Sequence, residues 1–320
     1  MDSLVAIVGP TGTGKSRLAL ELARFFNAEI VSADSRQIYR YLDIGTAKPT
    51  PQELSLIPHH LVNIAYPDDD FDLARYQRLA RTAINDIQER NRLPLLVGGS
   101  GLYVWALLEG WEVPSVPPDH EFRDSLAKKA AEVGEYELYR ELEQIDPAAA
   151  QRIDPRNLRR TIRALEVNRT GTLFSRLQQK KAPPFRSLVI GLTMDRQELY
   201  RRLDARIDDM IAQGWVEETE KLLDMDYDLN RPALSGIGYQ QIARFLKGEL
   251  TLAAAIQQIK FQTHRFVRHQ YNWFRLTDTR IKWFDMQRKI GPEVTGLVAD
   301  FIDGAKHGER NLKEGEGKET

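Results

Sequence analysis

Apolar and polar positions fall into two kinds of block along the first third of the chain. Leu4 to Val8 is an unbroken apolar run closed by Gly9, the pattern of a strand buried on both faces. From Ser16 to Phe26 the apolar residues stand at 18, 19, 22, 23, 25 and 26, a helical period. Glu29 to Ala33 and Leu93 to Val97 read as further strands, with a helical stretch from Arg75 to Arg92 between them. Arg186 to Leu192 is another strand, followed by a long helix from about Arg196 to Met225. Buried apolar runs alternating with helices predict an α/β fold around a parallel sheet.

A different pattern separates the two strand-bearing regions. Val113 to Pro118 and Ala182 to Pro184 are proline-rich boundaries, and the stretch between them is helical in period with no strand signal. The expected organisation is a catalytic core of residues 1–115 and 186–302 interrupted by a helical insertion at 116–185. Charge divides that insertion. Asp119 to Asp146 carries 4 basic and 9 acidic residues, whereas Arg152 to Lys181 carries 9 basic and 2 acidic. A solvated charged face accounts for many such runs, but a basic window in an otherwise balanced chain points to an anionic partner. A second basic stretch, Lys260 to Lys282, interleaves Phe261, Phe266, Tyr271, Trp273 and Phe274. It is read as an amphipathic helix with its aromatics toward the core and His264, Arg265 and Arg268 opposite. From Asp303 onward Gly, Lys and Glu dominate, a composition that predicts disorder over 303–320.

Composition narrows the chemistry. The 45 Lys and Arg balance 46 Asp and Glu, so whole-chain charge favours no polyanion. Without cysteine, disulfide scaffolds, cysteine-ligated zinc, iron–sulfur clusters and thiol catalysis are excluded. The apolar run at Leu4 to Val8 is too short for a secretory signal. The longest uncharged run, Leu93 to Leu108, is too short and too glycine-rich to span a bilayer, so a cytoplasmic location is expected.

Gly9-Pro10-Thr11-Gly12-Thr13-Gly14-Lys15-Ser16 fits the phosphate-binding loop G-x-x-x-x-G-K-[ST], lying between a buried strand and a helix. Its glycines let backbone N–H groups turn around phosphate oxygens, Lys15 adds charge, and the Ser16 hydroxyl is a candidate Mg²⁺ ligand. The pattern is that of nucleotide- and ATP-binding loops. A second strand ending in an acidic magnesium ligand, expected of a motor ATPase, is missing: Leu93 to Val97 runs into Gly98, Gly99, Ser100 and Gly101. Small-molecule or nucleotide kinases and diphosphate-handling transferases both remain. Asp34, just past the second strand, lies where strand ends meet a ligand crevice and is a candidate general base. A helix N-cap is the equally compatible alternative on position alone. Ser100 ends another strand and is expected to face the same crevice. His59 and His60 suggest a metal pair, but adjacent histidines point in different directions.

Taken together, these segments resemble the bacterial tRNA dimethylallyltransferases, also called tRNA isopentenyltransferases. The likeness rests on the phosphate loop, Ser32 to Tyr39, Ile44 to Pro49, Pro58 to Leu61 and Val97 to Tyr103. It continues through Arg160 to Val167, Gly191 to Arg196, Gly236 to Tyr239 and Thr263 to Trp273, so it covers residues 4 to about 285. The resemblance implies a phosphate-loop NTPase-like core and transfer of a dimethylallyl group from its diphosphate to N6 of the adenosine beside the anticodon, tRNA position 37. It implies Mg²⁺, the anticodon stem-loop of tRNA and dimethylallyl diphosphate as partners, and a monomer. By position, Asp34 resembles the base, Lys15 and Arg206 resemble groups at the diphosphate, and Ser100 stands where threonine is usual. Asp34, Ser35, Arg36, Gln37, Ser100, Arg123, Arg159, Arg160, Thr161, Ile162 and Arg163 resemble the tRNA contacts. The chain departs from the pattern at Asn157, His264, Arg265 and His269.

Overall fold

The computed structural model describes residues 3–114, 116–177, 182, 185–229 and 231–316, with side chains through residue 304. Ser115, Pro183 and Pro184 of the two boundaries, and Lys180 and Lys181 of the basic half, lie outside the described residues. In chain order the first unit runs β1 (Ser3–Val8), α1 (Lys15–Phe26), β2 (Ala28–Ser32), α2 (Pro51–Leu56), β3 (His59–His60), α3 (Leu73–Glu89), β4 (Leu93–Val97) and α4 (Gly101–Leu108). Residues 109–184 form a second unit containing α5 (His120–Val133), α6 (Glu135–Ile145), α7 (Pro147–Ala150) and α8 (Leu158–Asn168). The first unit then resumes with β5 (Arg186–Thr193), α9 (Arg196–Ala212), α10 (Trp215–Asp224), α11 (Tyr239–Leu246), α12 (Leu252–Trp273), β6 (Ile281–Asp285) and α13 (Gly291–Glu316).

The sheet has six strands in the order β3-β2-β4-β1-β5-β6, and every pairing is parallel. β1 is central, paired through Val5, Ala6 and Ile7 with Leu95, Leu96 and Val97 on one side and with β5 on the other. All six of its residues are buried, because a parallel sheet is covered on both faces and its middle strand has no polar side. Leu18, Ala19, Leu22 and Ala23 of α1, with Val294 and Val298 of α13, pack on the sheet around Val5, Ile7 and Leu95. Parallel strands place all their C-terminal ends on one rim. The loops after β1, β2 and β4 therefore meet there, and these are the loops carrying residues 9–16, 34–37 and 98–100.

Three elements differ from the pattern read in the sequence. The helix expected from Arg196 to Met225 is two helices, because Gly214 adopts φ 103° between them, a left-handed conformation that side-chain-bearing residues disfavour. The basic stretch to Lys282 is not one helix: α12 ends at Trp273, and Ile281–Asp285 becomes the edge strand β6 on β5. The aromatics of this stretch divide: Phe274 is fully buried and Tyr271 is part-buried against Thr193, as expected, but the other three are not. Phe261, Phe266 and Trp273 are exposed, while Ala255, Ile259, Val267 and Gln270 face inward. At the C-terminus the backbone of α13 is helical through Glu316, past the point where composition predicts disorder. The Ala, Lys, Glu and Arg residues beyond Asp303 are good helix formers.

The second unit has its own core, built by Leu126, Leu138, Leu142, Ile153, Ile162 and Leu165. Glu166 is buried within it, 3% exposed. Arg123 holds it in a two-pronged contact at 2.7 and 2.8 Å, Arg163 adds a third contact, and the backbone N–H of Asp119 donates at 2.8 Å. These partners keep its carboxyl below the usual range although burial alone pushes it up. Among the described residues no helix is long and apolar enough to cross a membrane.

Candidate active site

The cleft at the rim of the sheet has a volume of about 320 Å³ and is walled by the phosphate loop, the start of α1, the ends of β2 and β4, the 46–49 loop and α9. Of the residues singled out in the sequence, Thr11, Gly12, Gly14, Lys15, Ser16, Asp34, Gln37 and Arg206 line it, with Gly98 and Gly99. Gly9, Gly12 and Gly14 all take positive φ, which lets the loop turn back on itself between β1 and α1. Thr13 is fully buried behind it, its hydroxyl donating to the Pro10 carbonyl at 2.9 Å. Lys15 Nζ donates to the same carbonyl at 2.8 Å.

Electrostatics set the cleft apart from an ordinary surface. Burial, opposed by Asp34 and aided by Arg206, lowers the Lys15 ammonium to about 8. Arg206 is likewise lowered by burial and supported by Asp34. Two cations poorly compensated in a desolvated cleft form a site for an anion; Asp34 is the carboxylate that acts on both, and Glu53 also lines the cleft.

Asp34 is half-buried. Its Oδ1 accepts from the backbone N–H of Arg36 at 2.8 Å and of Gln37 at 3.4 Å, so it does cap, but it caps a turn. The helix that an N-cap role requires does not begin there; the next one starts at Pro51. Ser100 is not part of the cleft lining. Its Oγ accepts from the N–H of Ser35 at 3.0 Å, tying the loop after β4 to the loop after β2. Arg36 donates to the Ala233 carbonyl and to Ser235. Gln37 donates to the carbonyls of Thr46 and Ala47 at 3.3 and 3.2 Å while accepting from Ser32, so it braces the neighbouring loop.

Sequence reasoning missed the machinery of that loop. Glu218 of α10 accepts three successive backbone N–H groups, those of Asp43, Ile44 and Gly45, at 2.9, 2.7 and 3.0 Å, and the Tyr239 hydroxyl at 2.7 Å. Lys48 ties Asp43, Asn63 and the Tyr39 carbonyl together. Arg17 and Arg202 also reach the cleft. No local pattern marks these roles, because the partners lie as far as 175 residues apart.

The residues expected on an RNA surface of α8 divide sharply. Arg159 and Arg160 are exposed, whereas Thr161 and Ile162 point into the core of the second unit, where the Thr161 hydroxyl has no partner. Arg163 and Arg123 are engaged by Glu166. The two histidines diverge: His59 Nδ1 meets the Ile57 carbonyl and His60 Nε2 meets Glu29. Among the described residues no three His, Asp or Glu side chains form a metal cage. The exposed Ser16 hydroxyl on the cleft wall fits a magnesium ion, which takes few protein ligands and completes its shell with phosphate oxygens and water.

Parallel sheet, glycine loop and cationic rim cleft together define a phosphate-loop NTPase-like α/β protein with a helical insertion. The IPP transferase family matches residues 37–277. A tRNA dimethylallyltransferase of Dehalococcoides mccartyi is 50% identical over 305 residues, covering 95% of this chain and 94% of its own length. One of Thermomicrobium roseum is 50% identical over 284 residues, covering 88% and 86%. The full-length tRNA isopentenylpyrophosphate transferase of Bacillus halodurans superimposes with a TM-score of 0.71 at 37% identity, covering 98% of this chain and 100% of that one. A eukaryotic dimethylallyltransferase acting on tRNA gives 0.81 at 26% identity, covering 95% and 80%. The chain belongs to the IPP transferase family and is a tRNA-modifying prenyltransferase.

Proposed function

We propose that this chain transfers a dimethylallyl group from dimethylallyl diphosphate to N6 of the adenosine beside the anticodon, tRNA position 37, releasing diphosphate. The supporting observation is the placement of the Asp34 carboxylate in the same cleft as Lys15, Arg206 and the glycine loop. The phosphate loop holds the diphosphate, and Lys15 and Arg206 meet the charge that grows as the carbon–oxygen bond breaks. The N6 nitrogen forms the new bond to that carbon. Asp34 Oδ1 is committed to its turn, so Oδ2 takes the N6 proton. Ser16 with diphosphate oxygens would hold Mg²⁺, which when bound neutralises phosphate charge. Reaching a strand-end cleft requires the target base to leave the anticodon-loop stack.

Mass analysis of nucleosides from tRNA incubated with the protein, Mg²⁺ and dimethylallyl diphosphate tests this reading. The expected result is a dimethylallyl mass gain on adenosine at the position beside the anticodon. Consumption of ATP with unmodified tRNA would instead indicate a kinase.

On the insertion, Arg159 and Arg160 supply phosphate contacts. The double variant Arg159→Ala, Arg160→Ala is expected to flatten the log–log salt dependence of tRNA binding by about 0.7–0.9 for each arginine, with melting unchanged. Arg163→Ala behaves differently: it strips a partner from buried Glu166 and lowers stability by about 1–3 kcal/mol. Salt titrations of tRNA affinity beside thermal melts separate the two effects. An unchanged slope in the double variant returns Arg159 and Arg160 to a solvated face.

A further inference from the structure

Gln270 is only 4% exposed, although it comes from α12, whose outward face carries Phe261, Phe266 and Trp273. Both ends of its carboxamide are used. The backbone N–H of Thr11 donates to Oε1 at 2.8 Å, and Nε2 donates to the Gly99 carbonyl at 3.1 Å. The fit at Gly99 is close, since a Cβ there would lie 2.3 Å from Nε2. Thr11 sits in the middle of the phosphate loop. Gly99 precedes Ser100, whose Oγ receives the N–H of Ser35, the neighbour of Asp34. One side chain thus links the loop after β1 to the loops after β4 and β2. A carboxamide does this with a single planar group, because the contact needs an acceptor at one end and a donor at the other.

We infer that Gln270 is a positioning residue for the transfer, its carboxamide fixing the phosphate loop against the side of the cleft that carries Asp34. It touches neither the reacting atoms nor the base. It acts by holding the anion cradle and the carboxylate at one separation, and by directing the Thr11 N–H toward α12. The inference rests on the reading of residues 9–16 as the diphosphate cradle.

Two variants test it. Gln270→Met keeps length and volume but neither hydrogen bond. Gln270→Glu keeps the acceptor for Thr11 and turns a second acceptor toward the Gly99 carbonyl. Binding of inorganic diphosphate with Mg²⁺, tRNA affinity, single-turnover transfer and thermal melting are measured on the full chain. Both variants are expected to bind diphosphate and transfer the prenyl group about 10–100-fold less well, as expected of an unmet buried hydrogen-bonding group, with tRNA affinity unchanged. Wild-type diphosphate affinity and rate in either folded variant would overturn the inference. So would a loss confined to tRNA affinity, which would make Gln270 an RNA contact, or a fall in melting temperature with kinetics intact below it. Failure of the unaltered protein to bind diphosphate would instead overturn the cradle reading itself, and the positioning role with it.

Discussion

Asp34→Asn is expected to slow single-turnover prenyl transfer by about 10²–10⁴-fold, the usual worth of a positioned general base. The substitution preserves the turn. The amide oxygen of asparagine still accepts the Arg36 N–H that Oδ1 accepts at 2.8 Å, so melting temperature and diphosphate affinity stay near those of the unaltered protein. What is lost is the oxygen able to take the N6 proton. Asp34→Ala is the companion measurement. It removes the turn contact as well, and its extra loss of stability reports the capping role separately. A near-normal rate for the Asn variant, read in single turnover so that product release cannot mask chemistry, would sink the base assignment.

Lys15→Ala is expected to lower transfer by about 10²–10³-fold, comparable to removing one preorganised donor at a developing anion, and to weaken diphosphate binding while leaving tRNA affinity intact. The pH dependence is specific to this lysine. Burial lowers its folded value from 10.5 to about 8, so the free enzyme carries a neutral amine above that pH, and a bound diphosphate restores the proton. Diphosphate binding is therefore expected to take up a proton above about pH 8 and little below pH 7. Calorimetry in buffers of different ionisation enthalpy measures this uptake. In Lys15→Ala it disappears, while protons exchanged by diphosphate itself remain in both proteins. For the ligand-free fold the sign is opposite in sense. The unfolded chain holds this proton up to about 10.5, so the contribution of Lys15 to stability improves as pH rises from about 8 toward that value. Equal proton uptake in both proteins would show that Lys15 does not face the diphosphate.

What was legible in the sequence was whatever depends on neighbours along the chain. Leu4 to Val8 and Leu93 to Val97 announce themselves as buried strands, because a covered parallel sheet demands uninterrupted apolar runs. The phosphate loop is legible because its glycines and lysine are contiguous. What was hidden depends on partners far away or on single backbone angles. Gly214 divides a helix whose apolar period continues across it. β6 is a five-residue edge strand with two charges, Lys282 and Asp285, and its sequence continues the basic pattern of the helix before it. Arg163 has the composition of an RNA contact, yet its neighbour three positions on, Glu166, is buried and claims it. Gln37 lines the cleft and at the same time braces the 46–47 loop, while Ser100, outside the lining, ties the loop after β4 to the loop after β2. Residue type in a motif marks where a site is assembled. Which side chain faces the ligand and which holds the frame is decided by contacts across the fold.

The central strand has a consequence for how the protein is made. β1 is synthesised well before β5, which begins at Arg186 and completes one of its two edges. β2 and β4 can close on the other edge once Val97 has emerged, but residues 109–184 must be translated before the remaining edge has a partner. At about 5–20 residues per second, the stretch from Val97 to Arg186 leaves that edge open for roughly 5–20 s. Much of this interval goes to an insertion with a hydrophobic core of its own. The phosphate loop waits longer still, since the side chain that bridges it to the rest of the cleft belongs to residue 270. The phosphate loop, at Thr11, thus precedes by 259 residues the side chain that fixes it.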